Sequence, residues 1–591
     1  MSDLSKHRAE ADITCGDADL GRRGFVAAAA TTAAVGVFAG WAPAFELSAS
    51  ELGGGLPGFP ADIRLYKQAY RNWSDEIRVD GAWTCAPRDE AQVLRAVNWA
   101  HQNGYKVRAQ GQSHNWSPLT FHSRQSADGV LLVNMAHHLT GVSIDASSRP
   151  ARVNAHTGIR MDALMARMEA AGLGFTAVPA IGEVTLGGVL AIDGHGTAVP
   201  ARGETLLSGH TYGSVSNLVL SLTAVVWDAS EARYVLKTFD RADPECGAFL
   251  THLGRAMITR VTLQAGANQR LRCRSYTDID TRELFASAGS GGRTFASFLD
   301  EAGRIETICF PFTRTPWTKV WSVAPRKPLF ARPVFAPYNY PFSDSIPKPV
   351  SDLISQINRG IVSVTPLLGA AQLAAVKAGL LSTLSSDLWG WSKNTLNYIR
   401  ASTLRVTANG YAILTNRANV QGVLHDFVSH YDQMIDAYRG RGQYPMNGPV
   451  EIRVTGLDRV SECLRPGAQA PHLSALRARP DRIDWDVAVW LDILTLPGTP
   501  AANQFYREME DWIFSRFDGG DALARVEWSK GWAYGSEEAW SDERMIHSVI
   551  PDSISVGQPA WSNWNSTRLT LNKYDPGRLF TSRLLEELLP G

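Results

Sequence analysis

The chain has 591 residues, 45% of them hydrophobic and 20% charged, with 51 Gly, 30 Pro, 18 Trp and 6 Cys. That is the composition of a folded globular protein long enough for more than one domain, which excludes a disordered tail protein and a disulfide-stapled miniprotein. Lys+Arg (58) balance Asp+Glu (58) and no basic run appears, so a nucleic-acid partner is not expected, because phosphate binding needs clustered positive charge.

At the N-terminus Gly21-Arg22-Arg23-Gly24-Phe25-Val26 opens an Ala-rich apolar stretch that reaches Phe38 and Trp41, and Ala42-Pro43-Ala44 supplies small residues for cleavage. Paired arginines ahead of a mildly apolar core predict a twin-arginine export leader over residues 1–44, since a membrane span needs about 20 more strongly apolar residues. The mature protein is then expected in the periplasm or outside the cell. Removing the leader removes Cys15 and leaves Cys85, Cys246, Cys273, Cys309 and Cys463. Their irregular spacing fits neither a zinc site nor a full disulfide framework, so no metal is expected and most should be buried thiols.

Beyond Asp62, Pro87 opens a predicted helix on which Val93, Leu94, Val97 and Ala100 share one buried face, and Gly104 closes it. Tyr105 to Arg108 reads as a strand. It feeds the small-residue loop Gln110, Gly111, Gln112, Ser113, His114, Asn115, where a glycine lets backbone amides approach a phosphate. Further glycine turns follow at Gly187-Gly188, Gly194-His195-Gly196 and Tyr212-Gly213-Ser214 to Asn217, before a buried strand from Val219 to Trp227. No Gly-x-Gly-x-x-Gly opens a helix after a strand and no Gly-Lys-Ser/Thr is present in this region, which excludes a Rossmann domain and a P-loop. Several glycine turns remain, enough to hold one extended cofactor by its pyrophosphate.

This order of Pro87 with its helix, Arg108-x-x-Gly111-x-x-His114 and the later glycine turns resembles the FAD domain of the vanillyl-alcohol oxidase family. Asn572-Lys573-Tyr574-Asp575-Pro576-Gly577-Arg578-Leu579-Phe580 is similar to the segment with which that family returns to its flavin domain. Within the family the chain looks closest to the bacterial cholesterol oxidases with covalent FAD, through Gly209 to Ser214, Leu388 to Lys393, Gly448 to Arg453 and Glu527 to Trp532. The resemblance implies an α+β fold with a two-part FAD-binding domain, 45–265 plus a return over 556–591. It implies a substrate domain over 266–555 built on a large mixed or antiparallel sheet flanked by helices. It also implies FAD bonded through His114, which needs a neutral imidazole held against the flavin's 8α-methyl. Ala177-Val178-Pro179-Ala180 holds no cysteine, so no second link is expected.

In the strand through Glu451, Ile452 and Arg453 the two charged side chains share a face. By pattern alone that is either a surface ion pair or part of a site. The resemblance places it over the flavin and adds Glu306 and Lys530. Oxidising a secondary alcohol needs a proton acceptor and a positive group for the developing alkoxide. Glu451 is expected as the acceptor and as the group that moves a 5-ene to a 4-ene ketone. Arg453 is expected as the positive group, Glu306 as its pairing partner and gate, and Lys530 at the flavin's pyrimidine end or the substrate oxygen. Dioxygen then returns the flavin to its oxidised form and gives hydrogen peroxide. One position departs from the pattern: Asp492 stands where the resemblance leads one to expect an asparagine, so its carboxylate bears on the assignment of the base.

Ile361 to Ser386 is strongly apolar but interrupted by Pro366, Gln372 and Lys377, and seven prolines fall from Pro325 to Pro349. This predicts either a buried helix or a lid over a bulky apolar ligand, with a transient contact to a lipid surface. The expected partners are a sterol and dioxygen. An alditol or aldonolactone oxidase of the same flavin family is the nearest alternative, and a non-catalytic sterol-binding protein is the more distant one.

Overall fold

The protein is seen here in a computed structural model that describes residues 47–48, 55–344, 346–400 and 403–591. The leader read over residues 1–44, with Cys15, lies outside the described residues. The architecture is α+β, as expected, and rests on three sheets.

The first sheet runs in the order Leu47–Ser48, Arg64–Arg71, Arg78–Ala86, Val130–Asn134, Lys106–Gln110, and its last three strands are mutually parallel. A parallel step needs a crossover, and the helix Glu90–Gln102 supplies it. That helix begins later than Pro87 suggested, because Asp89 caps it by accepting from Gln92 N at 2.8 Å. Val93, Ala96, Val97 and Ala100 are buried on the sheet side, while Leu94 is only half-buried. Gly104 takes the left-handed conformation after the helix (φ 73°) and turns the chain into Lys106–Gln110.

The second sheet is antiparallel, in the order Arg233–Asp240, Val219–Asp228, Met257–Ala267, Ala151–His156, Val142–Asp145. The C-terminal segment packs back onto these two sheets. Val107 N donates to Leu579 O at 2.9 Å, and the buried Asp575 takes hydrogen bonds from Arg255 (2.7 Å) and Tyr234 (2.6 Å).

The third sheet has nine strands, in the order Arg332–Val334, Asp387–Trp391, Arg270–Tyr276, Trp317–Val323, Arg304–Cys309, Val450–Gly456, Val487–Thr495, Thr407–Thr415, Leu523–Val526. All its pairings are antiparallel except that of the edge strand Arg332–Val334. The helices Val420–Gly440 and Ala502–Arg516 pack with it, burying Phe427, Tyr431, Phe505, Met509 and Ile513 in one apolar core.

Ile361 to Ser386 forms a short 3-10 turn and the helix Thr365–Ser382, long and apolar enough by length and composition to cross a membrane. Only one side of it is covered: Leu368, Val376 and Leu380 are buried, whereas Leu367 and Leu381 are exposed. The helix has a packed inner face and a bare outer one. The five cysteines among the described residues are free thiols, and no cluster of metal-ligating side chains occurs among those residues.

Candidate active site

The register of the nine-stranded sheet builds the charged floor of the site. Lys319 lies directly across from Glu306, and Glu306 across from Arg453. One step along the same face, Glu451 lies across from Asp492 and Asp492 across from Gly410. Side chains two apart on a strand share a face, so Glu451 and Arg453 bring the two rows together.

Arg453 is the hub. Its Nε donates to Glu306 Oε1 at 2.8 Å, its Nη1 to Asp492 Oδ2 at 2.8 Å, and its Nη2 to Glu451 Oε2. Three carboxylates on one planar guanidinium hold it charged well above its ordinary range despite its burial. Glu306 also takes Lys319 Nζ at 2.5 Å and the Tyr398 hydroxyl. Burial alone would push the Glu306 carboxyl up, but Lys319 and Arg453 outweigh that and bring it down to about 2. Glu451 goes the other way: burial raises it, and the attraction of Arg453 offsets this only in part.

A single cavity of about 490 Å³ connects this floor to the glycine loops. At one end it is lined by Gln110, Gly111, Gln112, Ser113, His114 and Asn115, and by Gly187, Gly188, Gly194, His195 and Gly196. Glu451, Arg453 and Lys530 line its middle, and Glu306 stands behind them on Arg453. At the far end the lining turns apolar, with Phe310, Trp317, Phe342, Val350, Ala375 and Val376.

The two loop systems are tied together. Trp116 N donates to Ser529 O and Ser117 Oγ to Trp528 O, both at 2.7 Å, and Lys530 Nζ sits 4.3 Å from the Trp116 ring centroid. His114 is sandwiched near Trp73 (4.0 Å between centroids) and Trp116 (5.9 Å). Burial, and after it the charge of Lys530, hold its imidazole neutral, with its pKa pushed down to about 3. His195 stacks flat on Trp490 at 3.7 Å and is likewise kept neutral by burial, at about 3.

These residues fit an FAD. The loops approach each other closely, so that a Cβ on Gly196 would lie 2.4 Å from the backbone Val178 N and one on Gly111 2.7 Å from the side-chain Thr185 Oγ1. Side chains at these positions would force the loops that line the cradle apart. The acidic residue lining this end, Asp193, accepts hydrogen bonds from Ser474 Oγ (2.7 Å) and is pushed up to about 7 by burial and by Asp458. A diphosphate there would meet a carboxyl that burial and Asp458 make easier to protonate, and a flavin ring beside His114 would meet apolar rings and a neutral nucleophile.

Not every expected cofactor residue lines the cavity. Tyr212, Gly213, Ser214 and Asn217 lie behind it. A Cβ on Gly213 would fall 2.2 Å from Asp458 Oδ1, Ser214 N and Oγ donate to Asp458 (2.7 and 2.9 Å), and Tyr212 N donates to Glu462. Asn217 joins Arg459 O to Arg241. They support the loop of Asp193 through Ser474, whose hydroxyl oxygen lies 2.7 Å from Asp193 Oδ2 and 2.6 Å from Asp458 Oδ2 and has one hydrogen for the two.

Sequence reasoning missed Lys319, Tyr398 and Glu527. Lys319 sits between Trp317 and Trp321 on one strand face, with its Nζ 3.5 Å from the Tyr398 ring centroid. A lysine amid aromatics in an otherwise buried strand was the available signal. Glu527 lines the cavity beside Lys530.

The family model described as "Cholesterol oxidase, substrate-binding" matches residues 270–590, and that described as "FAD binding domain" matches residues 82–231. A solved structure of a solvent-stable cholesterol oxidase is similar at TM-score 0.90 and 57% identity, covering 90% of this chain and 100% of that one. The cholesterol oxidase from Brevibacterium sterolicum matches at TM-score 0.89 and 46% identity, over 91% of this chain and 99% of that one. A histidine-to-alanine mutant of that enzyme matches at TM-score 0.88 and 46% identity, over 90% and 99%. A search of curated proteins gave no match. With its cofactor and substrate regions both matched and with such identity over most of its length, the chain belongs to the cholesterol oxidase family of FAD-binding proteins.

Proposed function

We propose that this protein is an FAD-dependent oxidase of 3β-hydroxysterols, carrying them to 4-en-3-ones. The observation that carries this reading is the continuity of one cavity from the neutral His114 and the glycine loops, past Arg453 and Glu451, to an apolar end under the helix Thr365–Ser382. When bound, FAD supplies the acceptor for the carbinol hydrogen, taken with its electron pair, and the route of those electrons to dioxygen, giving hydrogen peroxide.

The chain's residues supply the rest. Glu451, in the cavity wall, is pushed up by burial and so suits acceptance of the hydroxyl proton, whereas Glu306, behind Arg453, is held too low to take one at neutral pH. Arg453 presents a fixed positive charge to the developing alkoxide, and Glu306 and Asp492 hold it in place, so it needs no reorganisation during the reaction. Once it has released the hydroxyl proton, the same Glu451 carboxylate takes a proton from the ring carbon between the new ketone and the double bond and returns it to the far carbon of that double bond, which moves the 5-ene to the 4-ene. The apolar end excludes water and accommodates a fused-ring body. An alditol or aldonolactone would leave that end unsatisfied, which argues against the polar-substrate alternative. A carrier that had lost turnover would have no use for the charge cluster.

His114 is proposed as the covalent anchor of the flavin, supported by its buried neutral imidazole. Export by the twin-arginine route is proposed from Arg22 and Arg23, a pathway that carries folded, cofactor-loaded proteins. A lipid bilayer is proposed as the surface from which sterol is taken. Phe330 and Phe335 are 87% and 86% exposed beside the bare Leu381 and Leu384, the Arg332 side chain ties that loop to Thr383 O, and Arg326 and Lys327 bring positive charge. Replacing Phe330 and Leu381 by Asp should abolish co-sedimentation with cholesterol-containing vesicles; undiminished co-sedimentation would overturn that docking face. For the activity itself, oxygen uptake should follow addition of cholesterol and not of alditols or aldonolactones, and the reverse selectivity would overturn the proposal.

A further inference from the structure

Asp492 and Glu527 meet the same glycine, Gly410, each with one buried carboxyl oxygen that has no hydrogen-bond partner. Ionised carboxylates only accept, so two such oxygens can satisfy each other only if one of the two carries a proton. The atoms concerned are identifiable. Asp492 Oδ1 and Glu527 Oε2 are both fully buried without a hydrogen-bond donor from another group, and both crowd Gly410, whose Cβ would fall 2.7 and 2.9 Å from them. A side chain at this position would collide with both.

Their other oxygens say which is the acid. Asp492 Oδ2 accepts from Arg453 Nη1 at 2.8 Å and has Lys530 Nζ at 3.5 Å. Glu527 Oε1 has only the Ser529 hydroxyl at 3.1 Å and Lys530 at 4.0 Å. Burial drives the Asp492 carboxyl up, but Lys530 and Arg453 win and hold it below its ordinary value. Burial and then the Asp492 charge push Glu527 up to about 8. The remaining groups facing the pair are Glu451, next to Asp492 in register, and the neutral His195.

We propose that Asp492 and Glu527 share one proton as a carboxylate–carboxylic acid pair, with Glu527 the acid, and that Glu527 is thereby a positioning residue which keeps the charge cluster neutral before turnover. The cluster contains the cations Lys319, Arg453 and Lys530 and the carboxyl groups Glu306, Glu451, Asp492 and Glu527. With Glu527 protonated the charges cancel. With it ionised, a surplus negative charge would lie in the cavity wall and oppose both loss of the hydroxyl proton and arrival of electron density on the cofactor. In the oxidation the O–H bond breaks, its proton goes to Glu451, and the carbinol C–H pair leaves as hydride to FAD. The cluster then stands one positive charge up, matched to the charge the cofactor has gained. This role rests on the sterol-oxidase reading, but the shared proton does not.

The test is pH-difference infrared spectroscopy of the substrate-free holoenzyme, comparing wild type with Glu527→Gln and Asp492→Asn. A protonated-carboxyl band that titrates near pH 8 should be present in wild type and missing in Glu527→Gln. In Asp492→Asn the band should titrate at lower pH, because the neighbouring anion is gone; this variant serves if Glu527→Gln does not fold. A band of undiminished amplitude in Glu527→Gln, or one whose midpoint does not move in Asp492→Asn, would overturn the pair. In rapid kinetics, Glu527→Gln should lose the alkaline fall in flavin reduction that wild type shows near pH 8. A shared infrared band with no reaction of cholesterol in wild type would remove the sterol reading and leave the pair standing.

Discussion

Arg453→Lys probes the hub directly. Arg453 gives one charge-assisted hydrogen bond to each of Glu306, Asp492 and Glu451 from three different nitrogens of a planar fork. An ammonium keeps the charge but is a single nitrogen on a flexible stem, and it cannot span three carboxylates that were spaced by a guanidinium. Keeping one contact and losing two, at about 1.5–3 kcal/mol for each hydrogen bond to a charged group, removes about 3–6 kcal/mol of gross local stabilisation. Part of this is recovered as carboxyl groups take up protons, since Glu306 is held near 2 only because Lys319 and Arg453 overcome its burial. For the reaction, misplacing one preorganised positive donor costs on the order of 10²–10³ in rate. Stopped-flow bleaching of the flavin by sterol without oxygen should slow by that factor, with cofactor content unchanged because the glycine loops are untouched. A rate within about threefold of wild type would refute the reasoning, since it would mean that the positive charge alone, without the fork, suffices.

Other perturbations have separate readouts. In His114→Ala the flavin should leave the protein on acid precipitation, whereas wild type should keep a yellow pellet; release from both would remove the covalent link. Gly196→Ala would set a Cβ 2.4 Å from Val178 N and 2.7 Å from Val178 O, both backbone, at a cost of about 1–3 kcal/mol, so the purified protein should melt earlier and carry less flavin. Unchanged melting and flavin content would contradict the packed-loop cradle. His252 is held down to about 3 by burial, so its contribution to stability is present above its unfolded value near 6.5 and is lost as pH falls toward 3. Replacing it by Asn, which can still accept from Gly254 N, should flatten the dependence of unfolding free energy on pH between about 6 and 4 by roughly 1.4 kcal/mol per pH unit. An unchanged slope in denaturant titrations would show that His252 is protonated in the folded state.

The sequence made the strands legible where they alternate and left their neighbours hidden. The strand through Glu451 and Arg453 was readable from its alternation, as was the loop of His114 from its small residues. Asp492 drew notice only as a departure from pattern. That Glu306, Arg453 and Lys319 are cross-strand neighbours could not be read locally, because their register joins positions far apart in the chain. The glycine turn at Tyr212 to Ser214 is real, and its lack of a side chain makes room for Asp458. Glu527 went unassigned because its meaning depends on Asp492 across a glycine gap that no spacing encodes. The start of the helix at Glu90 was displaced by the cap at Asp89, a matter of one side-chain hydrogen bond.

Adding cholesterol in detergent to the purified protein under anaerobic conditions and following the flavin absorbance tests sterol oxidation most directly. The site described here predicts bleaching at a rate that depends on sterol concentration, then full recovery of colour with release of hydrogen peroxide when air is admitted. A yellow protein that stays yellow with cholesterol, and bleaches instead with an alditol or aldonolactone, would contradict it.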